Sequence, residues 1–163
     1  MDSLERRIVA QLLVDAGEPT VSIARKVKAA RQTVSKKIKK LKKSGHIESV
    51  TAVVDPEMFG LHERAFVFIQ EDPEMKVRKM IEARIDSLPN VTRFYRLFGR
   101  YSGILEVLTR DQDELSTLVK DIHELEGMRE TETFIVHSSV KDRPQDALIK
   151  AIEDQERRYP ESN

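Results

Sequence analysis

The sequence predicts an α+β protein with a helical N-terminal part followed by a β-α-β-β-α-β part. Apolar residues recur at helical spacing in three segments before Gly45, and four β-rich runs alternate with two helical patterns further on. The charge divides in the same way: residues 1–50 carry twelve basic and five acidic side chains, a net +7, and residues 51–163 carry a net −7. We therefore expect domains at 1–50 and 62–141, a hinge strand or linker at 51–61 and a helical tail at 142–163.

Composition excludes several classes of protein. The chain of 163 residues has no cysteine, so disulfides and thiolate metal sites are excluded. No apolar stretch approaches the roughly 20 residues that a membrane span needs. The first residues include acidic side chains and do not resemble a signal peptide. We expect a soluble, cytoplasmic protein that has no contact with a membrane.

The first two helices follow from apolar spacing and from the residues that end them. Leu4, Ile8 and Leu12 recur every four residues and form one apolar face, which ends before Gly17. Thr20 is placed to cap a second, short helix. The pattern predicts two helices joined by a tight connection.

The third helix is predicted from residue 31 to residue 44, because Gly45 ends the pattern. Val34, Ile38 and Leu41 form a narrow apolar seam on a helical wheel and should face a core. A run of β-branched residues follows over 46–54 and predicts a strand or small wing, which precedes the helix-breaking Asp55-Pro56. Together the three helices and the wing predict a winged helix-turn-helix.

The third helix and the turn before it are densely cationic. Ten Lys or Arg and no acidic residue lie between Arg25 and Lys43. A cationic stripe of this kind suits a polyanion, because each neutralised phosphate releases condensed counterions. The alternative interpretation is a solvated helix face. The coincidence of the stripe with a helix-turn-helix pattern favours DNA.

The expected DNA contacts divide into two kinds. The first turns of a helix in the major groove meet base edges, and glutamine can pair with adenine and lysine with guanine. We assign the base edges to Gln32, Thr33 and Lys36. Phosphate contacts position a protein on DNA without reading sequence. The remaining predicted DNA-binding residues are Arg25, Lys26, Lys28 and Arg31 before the helix, and Lys37, Lys39, Lys40 and Lys43 within it.

The C-terminal two-thirds predict a ferredoxin-like sheet. Strands are expected at 65–69, 91–98, 104–109 and 131–136. One helix should lie between Val77 and Leu88, and another should begin at Asp111 or Asp113. The β-α-β-β-α-β order places both helices on one face of a four-stranded antiparallel sheet. The other face carries apolar and aromatic side chains, so a second copy should bury it.

The tail after Lys141 predicts one further helix over residues 145–159, with Ala147, Leu148, Ala151 and Ile152 at helical spacing. Such a helix could pack on a partner subunit or fray in solvent. The sequence leaves both possibilities open.

Residues 1 to about 141 resemble the Lrp/AsnC, or feast/famine, family of regulators. The similarity is carried by Ile23-Ala24, by Val34 to Leu41, by Ser44-Gly45-His46-Ile47, and most closely by Thr51 to Pro56 with Gly60-Leu61. The resemblance implies a transcriptional regulator that binds double-stranded DNA at a promoter or operator. It also implies dimers that pair through a RAM-type sheet domain, often as tetramers or octamers. A small effector, commonly an amino acid, is then expected in the sheet domain at the contact between dimers.

The resemblance also suggests effector-binding residues. The family's pocket uses a Gly-x-Tyr-Asp turn and a threonine on the last strand, which Gly99, Tyr101 and Thr133 (or Thr131) match. Ser102 stands where the family usually has Asp, and a hydroxyl cannot pair with an ammonium as strongly as a carboxylate does. The alternative is a plain hairpin turn over 99–103. Lys28 likewise replaces the glycine common before the recognition helix.

We find no sequence signal for catalysis, a cofactor or a metal. The four histidines lie far apart and lack metal-ligand spacing. A sirohaem-decarboxylase-like enzyme is one alternative, with His123, His137, Tyr95 and Arg96 as its candidate residues. A protein that wraps DNA with little sequence preference is the other. The basic third helix argues against the enzyme, which has no need of it.

Overall fold

The computed structural model describes residues 1–158, which divide into two compact units. We call residues 1–53 with the chain from 141 onward the helical unit, and residues 54–140 the sheet unit. The elements in chain order are α1 (Ser3–Val14), α2 (Thr20–Lys26), α3 (Arg31–Lys43), a 3-10 turn (Pro56–Phe59), β1 (Glu63–Glu71), α4 (Met75–Asp86), β2 (Val91–Arg96), β3 (Gly103–Thr109), α5 (Gln112–His123), β4 (Met128–Ile135) and α6 (Gln145–Arg158).

Helix α1 begins with a capping box. The Asp2 carboxylate accepts the backbone N–H of Glu5 at 2.8 Å, and the Glu5 carboxylate accepts that of Asp2 at 2.9 Å. Two otherwise unpaired helix-end donors are thereby satisfied. Helix α2 differs from the prediction, because Pro19 is its N-cap and Thr20 its first helical residue. The Pro19 carbonyl accepts the first helical hydrogen bonds, and no side-chain cap forms because proline has no side-chain acceptor.

The turn between α2 and α3 contains a backbone conformation that favours glycine. Lys28 has φ +55°, and it is the one non-glycine residue with positive φ in the described chain. An L-residue in this region brings its Cβ close to the backbone, at a cost of roughly 1–2 kcal/mol. Helix α3 then extends to Lys43, one residue short of the predicted end. Gly45, which has φ +75°, follows the helix and stops it, as the sequence predicts.

The wing expected over residues 46–54 is not formed as a strand. These residues make no ladder with any strand of the described chain, and Val53 is 98% exposed. A β-branched run becomes a strand only beside another strand that satisfies its backbone groups. The sequence prediction was therefore wrong for this segment of the single chain.

The tail forms a helix that packs against α1 of the same chain. Glu156 accepts hydrogen bonds from Arg6 Nε at 2.7 Å and from Ser3 Oγ at 2.8 Å. Burial alone would raise the pKa of Glu156, but these two hydrogen bonds outweigh it and lower that pKa. The described part of the helix therefore packs within its own chain, which is neither of the two possibilities left open by the sequence. Its predicted last residue, Tyr159, lies outside the described residues.

The sheet unit has the predicted topology. Its four antiparallel strands run in the order β2-β3-β1-β4, with α4 and α5 packed on one face. The core between sheet and helices is fully apolar at its centre, where Val67, Ile69, Leu105, Ile81 and Ile122 are completely buried. Asp111, rather than Asp113, caps α5 by accepting the Glu114 N–H at 2.8 Å.

The opposite face of the sheet carries alternate residues of the same strands. Phe68 pairs in register with Ile104 and Glu132, and its ring meets that of Phe134 edge-on at 5.5 Å between centroids. Tyr95 and Phe134 remain about half exposed. We call this surface the open face. No helix of the described residues is both long and apolar enough to cross a membrane.

Candidate nucleic-acid interface and effector residues

Helix α3 presents a buried seam and a solvent-facing basic surface. Val34 and Leu41 are buried and Ile38 is half-buried against α1 and α2, as the helical wheel predicts. The predicted base-contacting residues Gln32, Thr33 and Lys36 are exposed. Also exposed are Arg31, Lys39 and Lys43, together with Lys42, which the sequence reasoning omitted. None of these seven side chains makes a hydrogen bond or ion pair within the chain as far as residue 158.

Two lysines of α3 are engaged with the protein itself. Lys37 pairs with Asp2 and lies 3.4 Å from Glu5, and Lys40 lies 2.9 Å from the same Glu5 carboxylate. A hydrogen bond from Lys40 and one from the Asp2 N–H lower the pKa of the buried Glu5 to about 2. Bonding to Asp2, above all, raises the pKa of Lys37.

These pairs distinguish the two lysines from their neighbours. The Lys37 side chain is only 22% exposed and ties α3 to the start of α1, whereas that of Lys40 is 70% exposed. Lys37 is thus a structural cation in this arrangement, while Lys40 can still present its charge to solvent. Sequence reasoning missed the acidic partners, although the Asp2-x-x-Glu5 spacing is the signature of a capping box.

The cations before α3 are exposed, and one of them, Lys26, is held in an ion pair. Lys26 forms an ion pair with Glu18 at 2.7 Å, and bonding to Lys26, followed by Ser22, lowers the pKa of Glu18. Arg25 and Lys28 are exposed and make no ion pair in the described part of the chain. The left-handed turn projects Lys28 into solvent at the entry to α3.

The turn that resembles the family's effector motif is well ordered by its own hydrogen bonds. The Ser102 N–H and hydroxyl both donate to the Ile69 carbonyl, at 2.9 and 3.1 Å. The same hydroxyl accepts the Glu71 N–H at 3.4 Å. Gly99 is exposed at the tip. The backbone N–H and the hydroxyl of Ser102 are therefore both bonded to strand β1.

Tyr101 belongs to the open face. Its ring lies 5.2 Å from that of Phe68, and its hydroxyl donates to Glu132, which raises the pKa of Tyr101. Arg100 stacks over the Tyr101 ring at 5.0 Å and pairs with Glu130 at 2.9 Å. Glu132 and Phe68 were not among the predicted site residues. The period-2 alternation of β1 and β4 would have placed them together.

The two threonines lie on the other face of the sheet. Thr133 pairs in register with Val67 and Thr131 with Ile69, and both partners are buried under the helices. One copy of the chain therefore separates Tyr101 from Thr131 and Thr133, and the pocket that the resemblance implies at the contact between dimers stays a prediction. The physical reason is that residues 131, 133 and 135 share a face from which residue 132 is excluded.

The threonines instead line a cleft between α5 and the edge strand β4. Its volume is about 510 Å³. Thr131 Oγ1 hydrogen bonds with His123 Nδ1 at 3.2 Å. The lining residues are Leu115, Ser116, Val119, Lys120, His123, Thr131, Thr133 and Ile135. We call this the α5–β4 cleft.

The candidate residues of the enzyme alternative are not brought together. Tyr95 and Arg96 are consecutive in β2 and point to opposite faces, and Arg96 is bound by Glu71 and Glu82. His123 lies beside β4, at the far edge of the sheet from β2. Three strand spacings separate those edges, about 14 Å. No group of three or more metal-ligating residues occurs in the described chain.

Comparisons with known proteins agree with this architecture. The winged helix-turn-helix DNA-binding model matches residues 1–48, and the Lrp/AsnC ligand binding domain model matches residues 64–146. The chain is 29% identical over 138 residues to the HTH-type transcriptional regulator FL11 of Pyrococcus furiosus, covering 83% of this chain and 89% of that one. It is 30% identical to an uncharacterized HTH-type transcriptional regulator of Pyrococcus horikoshii, covering 87% and 95%.

Solved structures of similar fold match the chain over most of its length. Escherichia coli AsnC superposes with a TM-score of 0.79 at 27% identity, covering 88% of this chain and 96% of AsnC. A Neisseria meningitidis regulator solved as a complex with L-Met shares the fold, with a TM-score of 0.85 at 19% identity and coverage of 89% and 95%. Because the ligand binding domain model alone spans half of the sequence and the DNA-binding model matches the helices before it, the chain belongs to the Lrp/AsnC family of transcriptional regulators.

Proposed function

We propose that the chain is a sequence-specific DNA-binding regulator that reads a promoter or operator with α3. The observation that carries the proposal is the row of exposed cations on α3 and its preceding turn, most of which make no ion pair within residues 1–158. Gln32, Thr33 and Lys36 are at the start of the helix and reach base edges. The phosphate contacts come from Arg25, Lys28, Arg31, Lys39, Lys40, Lys42 and Lys43, with Lys26 restrained by Glu18. Lys37 is left out of these contacts, because it pairs with Asp2 and Glu5 and ties α3 to the start of α1.

The proposal is tested by binding to the chain's own promoter region across a salt series. Each phosphate contact contributes a slope of about −0.9 to the plot of log affinity against log salt. Lys36→Ala should weaken binding and relax base preference, whereas Lys43→Ala should weaken all sequences alike. Lys79→Ala, on exposed α4 of the sheet unit, is the matched control. A salt-independent affinity would refute the proposal.

The working form is proposed to be a homodimer that pairs through the open face, with tetramers or octamers built from it. Phe68, Ile104, Tyr95 and Phe134 give this face an apolar centre of the kind that a second copy covers. A dimer carries two copies of α3, so it should protect paired half-sites about one helical turn, or a multiple, apart. Footprints that spread with concentration and lack this period would instead support DNA wrapping.

Regulation is proposed to pass through a small effector in the sheet unit. The match of residues 64–146 to a ligand binding domain supports this role, as does the relative crystallised with L-Met. A thermal-shift screen of small metabolites tests it, because a ligand that binds the folded state alone stabilises it. The proposal includes no catalytic step, and it implies a cytoplasmic protein because its target is promoter DNA.

A further inference from the structure

The α5–β4 cleft has an unusual balance of charge for an amino-acid site. It is lined by two nitrogen-bearing side chains, Lys120 and His123, and by three hydroxyls, those of Ser116, Thr131 and Thr133. Leu115, Val119 and Ile135 supply an apolar wall. No carboxylate is among the lining residues. At about 510 Å³ the cleft has the volume of ordinary small-molecule sites.

The side chains of Lys120 and His123 can both reach a ligand in the cleft. The Lys120 side chain is 72% exposed, and its ion pair with Glu124 at 3.8 Å is an exposed pair of the weak kind. Its ammonium can therefore turn to a bound anion at little cost. The Thr131 hydroxyl engages His123 Nδ1 and fixes the ring, which leaves Nε2 for the ligand. A carboxylate between these two groups would be bound by charge-assisted hydrogen bonds.

An ammonium group has no comparable partner. No carboxylate is among the residues that line the cleft, and the turn at Ser102 does not reach it. Glu132 belongs to the opposite face and accepts from Tyr101. An ammonium in the cleft would be repelled by the like charge of Lys120 and would gain no ion pair from the lining residues.

We infer that the α5–β4 cleft binds a small monocarboxylate that carries no ammonium group, such as a 2-oxo acid with a short branched apolar chain. Its carboxylate contacts Lys120 and His123, and its apolar chain packs on Leu115, Val119 and Ile135. The inference deepens the effector response proposed above and rests on it only for the effect on DNA. Binding itself is a property of the sheet unit.

The test compares three ligands of one carbon skeleton on the full chain by isothermal titration calorimetry without DNA. They are 4-methyl-2-oxopentanoate, 4-methylpentanoate and L-leucine. We expect the first two to bind and leucine to bind roughly ten- to hundredfold more weakly, the difference made by one unpaired charge. Leucine binding as tightly as the oxo acid, or no binding of the oxo acid, would overturn the inference.

Two variants locate the site. Lys120→Met should weaken 4-methyl-2-oxopentanoate at least tenfold, and His123→Leu should weaken it severalfold, because each removes a polar contact to the carboxylate and keeps most of the side-chain volume. Lys79→Met, an equally exposed change on α4, should leave the affinity unchanged. Unchanged affinity in Lys120→Met would refute the placement. If DNA binding fails while the ligand series behaves as expected, the proposed function is wrong and the cleft assignment stands; the converse result removes the cleft alone.

Discussion

The contact between Glu5 and the start of α3 gives a quantitative prediction about acid stability. Replacing Glu5 by Gln keeps the shape of the side chain and its capping role but removes the charge that Lys40 and Lys37 bind. The pKa of Glu5 is about 2 in the folded chain against an ordinary value of 4.5. Each pKa unit corresponds to 1.36 kcal/mol, so the ionised carboxylate contributes about 3 kcal/mol to the free energy of unfolding at neutral pH.

The sign and range follow from the lowered pKa. The stabilisation is fully present above the unfolded pKa of 4.5 and is lost as pH falls toward the folded pKa of about 2. About 2 kcal/mol of it should already be gone at pH 3. Wild type should therefore exceed Glu5→Gln by about 3 kcal/mol at pH 7 and by about 1 kcal/mol at pH 3.

The assay uses the distribution of chromophores. Residues 1–53 contain no Phe, Tyr or Trp, and the third tyrosine of the chain, Tyr159, is replaced by Phe in every protein compared. Tyrosine fluorescence then follows Tyr95 and Tyr101 of the sheet unit, while far-ultraviolet circular dichroism follows chiefly the helical unit, which holds four of the six α-helices described. Urea unfolding at pH 7 and pH 3 should show the change in the circular dichroism transition. Glu48→Gln, at an exposed position without an ion pair in the described chain, is the control. A wild-type advantage that is equal at both pH values would refute the reasoning.

Three further outcomes are expected. Lys28→Gly relieves the left-handed residue and should raise the free energy of unfolding by up to about 1 kcal/mol, measured by urea unfolding; a loss of stability would contradict the strain. Lys37→Ala should lower stability more than DNA affinity, and Lys36→Ala should do the reverse, so equal effects in both assays would remove the distinction between them. Ending the chain before Gln145 removes α6 and should destabilise the helical unit by about 2 kcal/mol, while the tyrosine-reported transition stays in place.

The sequence was sufficient for elements defined by local periodicity. The spacing of Val34, Ile38 and Leu41 predicted both the extent of α3 and its buried seam. The β-α-β-β-α-β order was equally readable, because each strand and helix carries its own apolar pattern. Capping was less certain, since Thr20 and Pro19 both fit a helix start and the structure uses the proline.

Features that depend on contacts between residues far apart in the sequence were harder to predict from it. The wing failed because a strand over 46–54 needs a neighbouring strand that the described chain does not supply. The pairing of Lys37 with Asp2 joins residues 35 positions apart, which only the fold brings together. Strand alternation predicts that Glu132 and Thr133 lie on opposite faces, but Tyr101 lies in a turn, and only the fold shows that it joins the face of Glu132.

The packing of α6 on α1 also sets the order in which the protein matures. Helices α1 to α3 leave the ribosome first, yet the fourth helix of their unit ends at residue 158, after the whole sheet unit has been made. At 5–20 residues per second the interval is roughly 6–20 s. The helical unit is thus begun before the sheet unit and completed after it, so the whole sheet unit has been synthesised while the DNA-reading head still lacks α6.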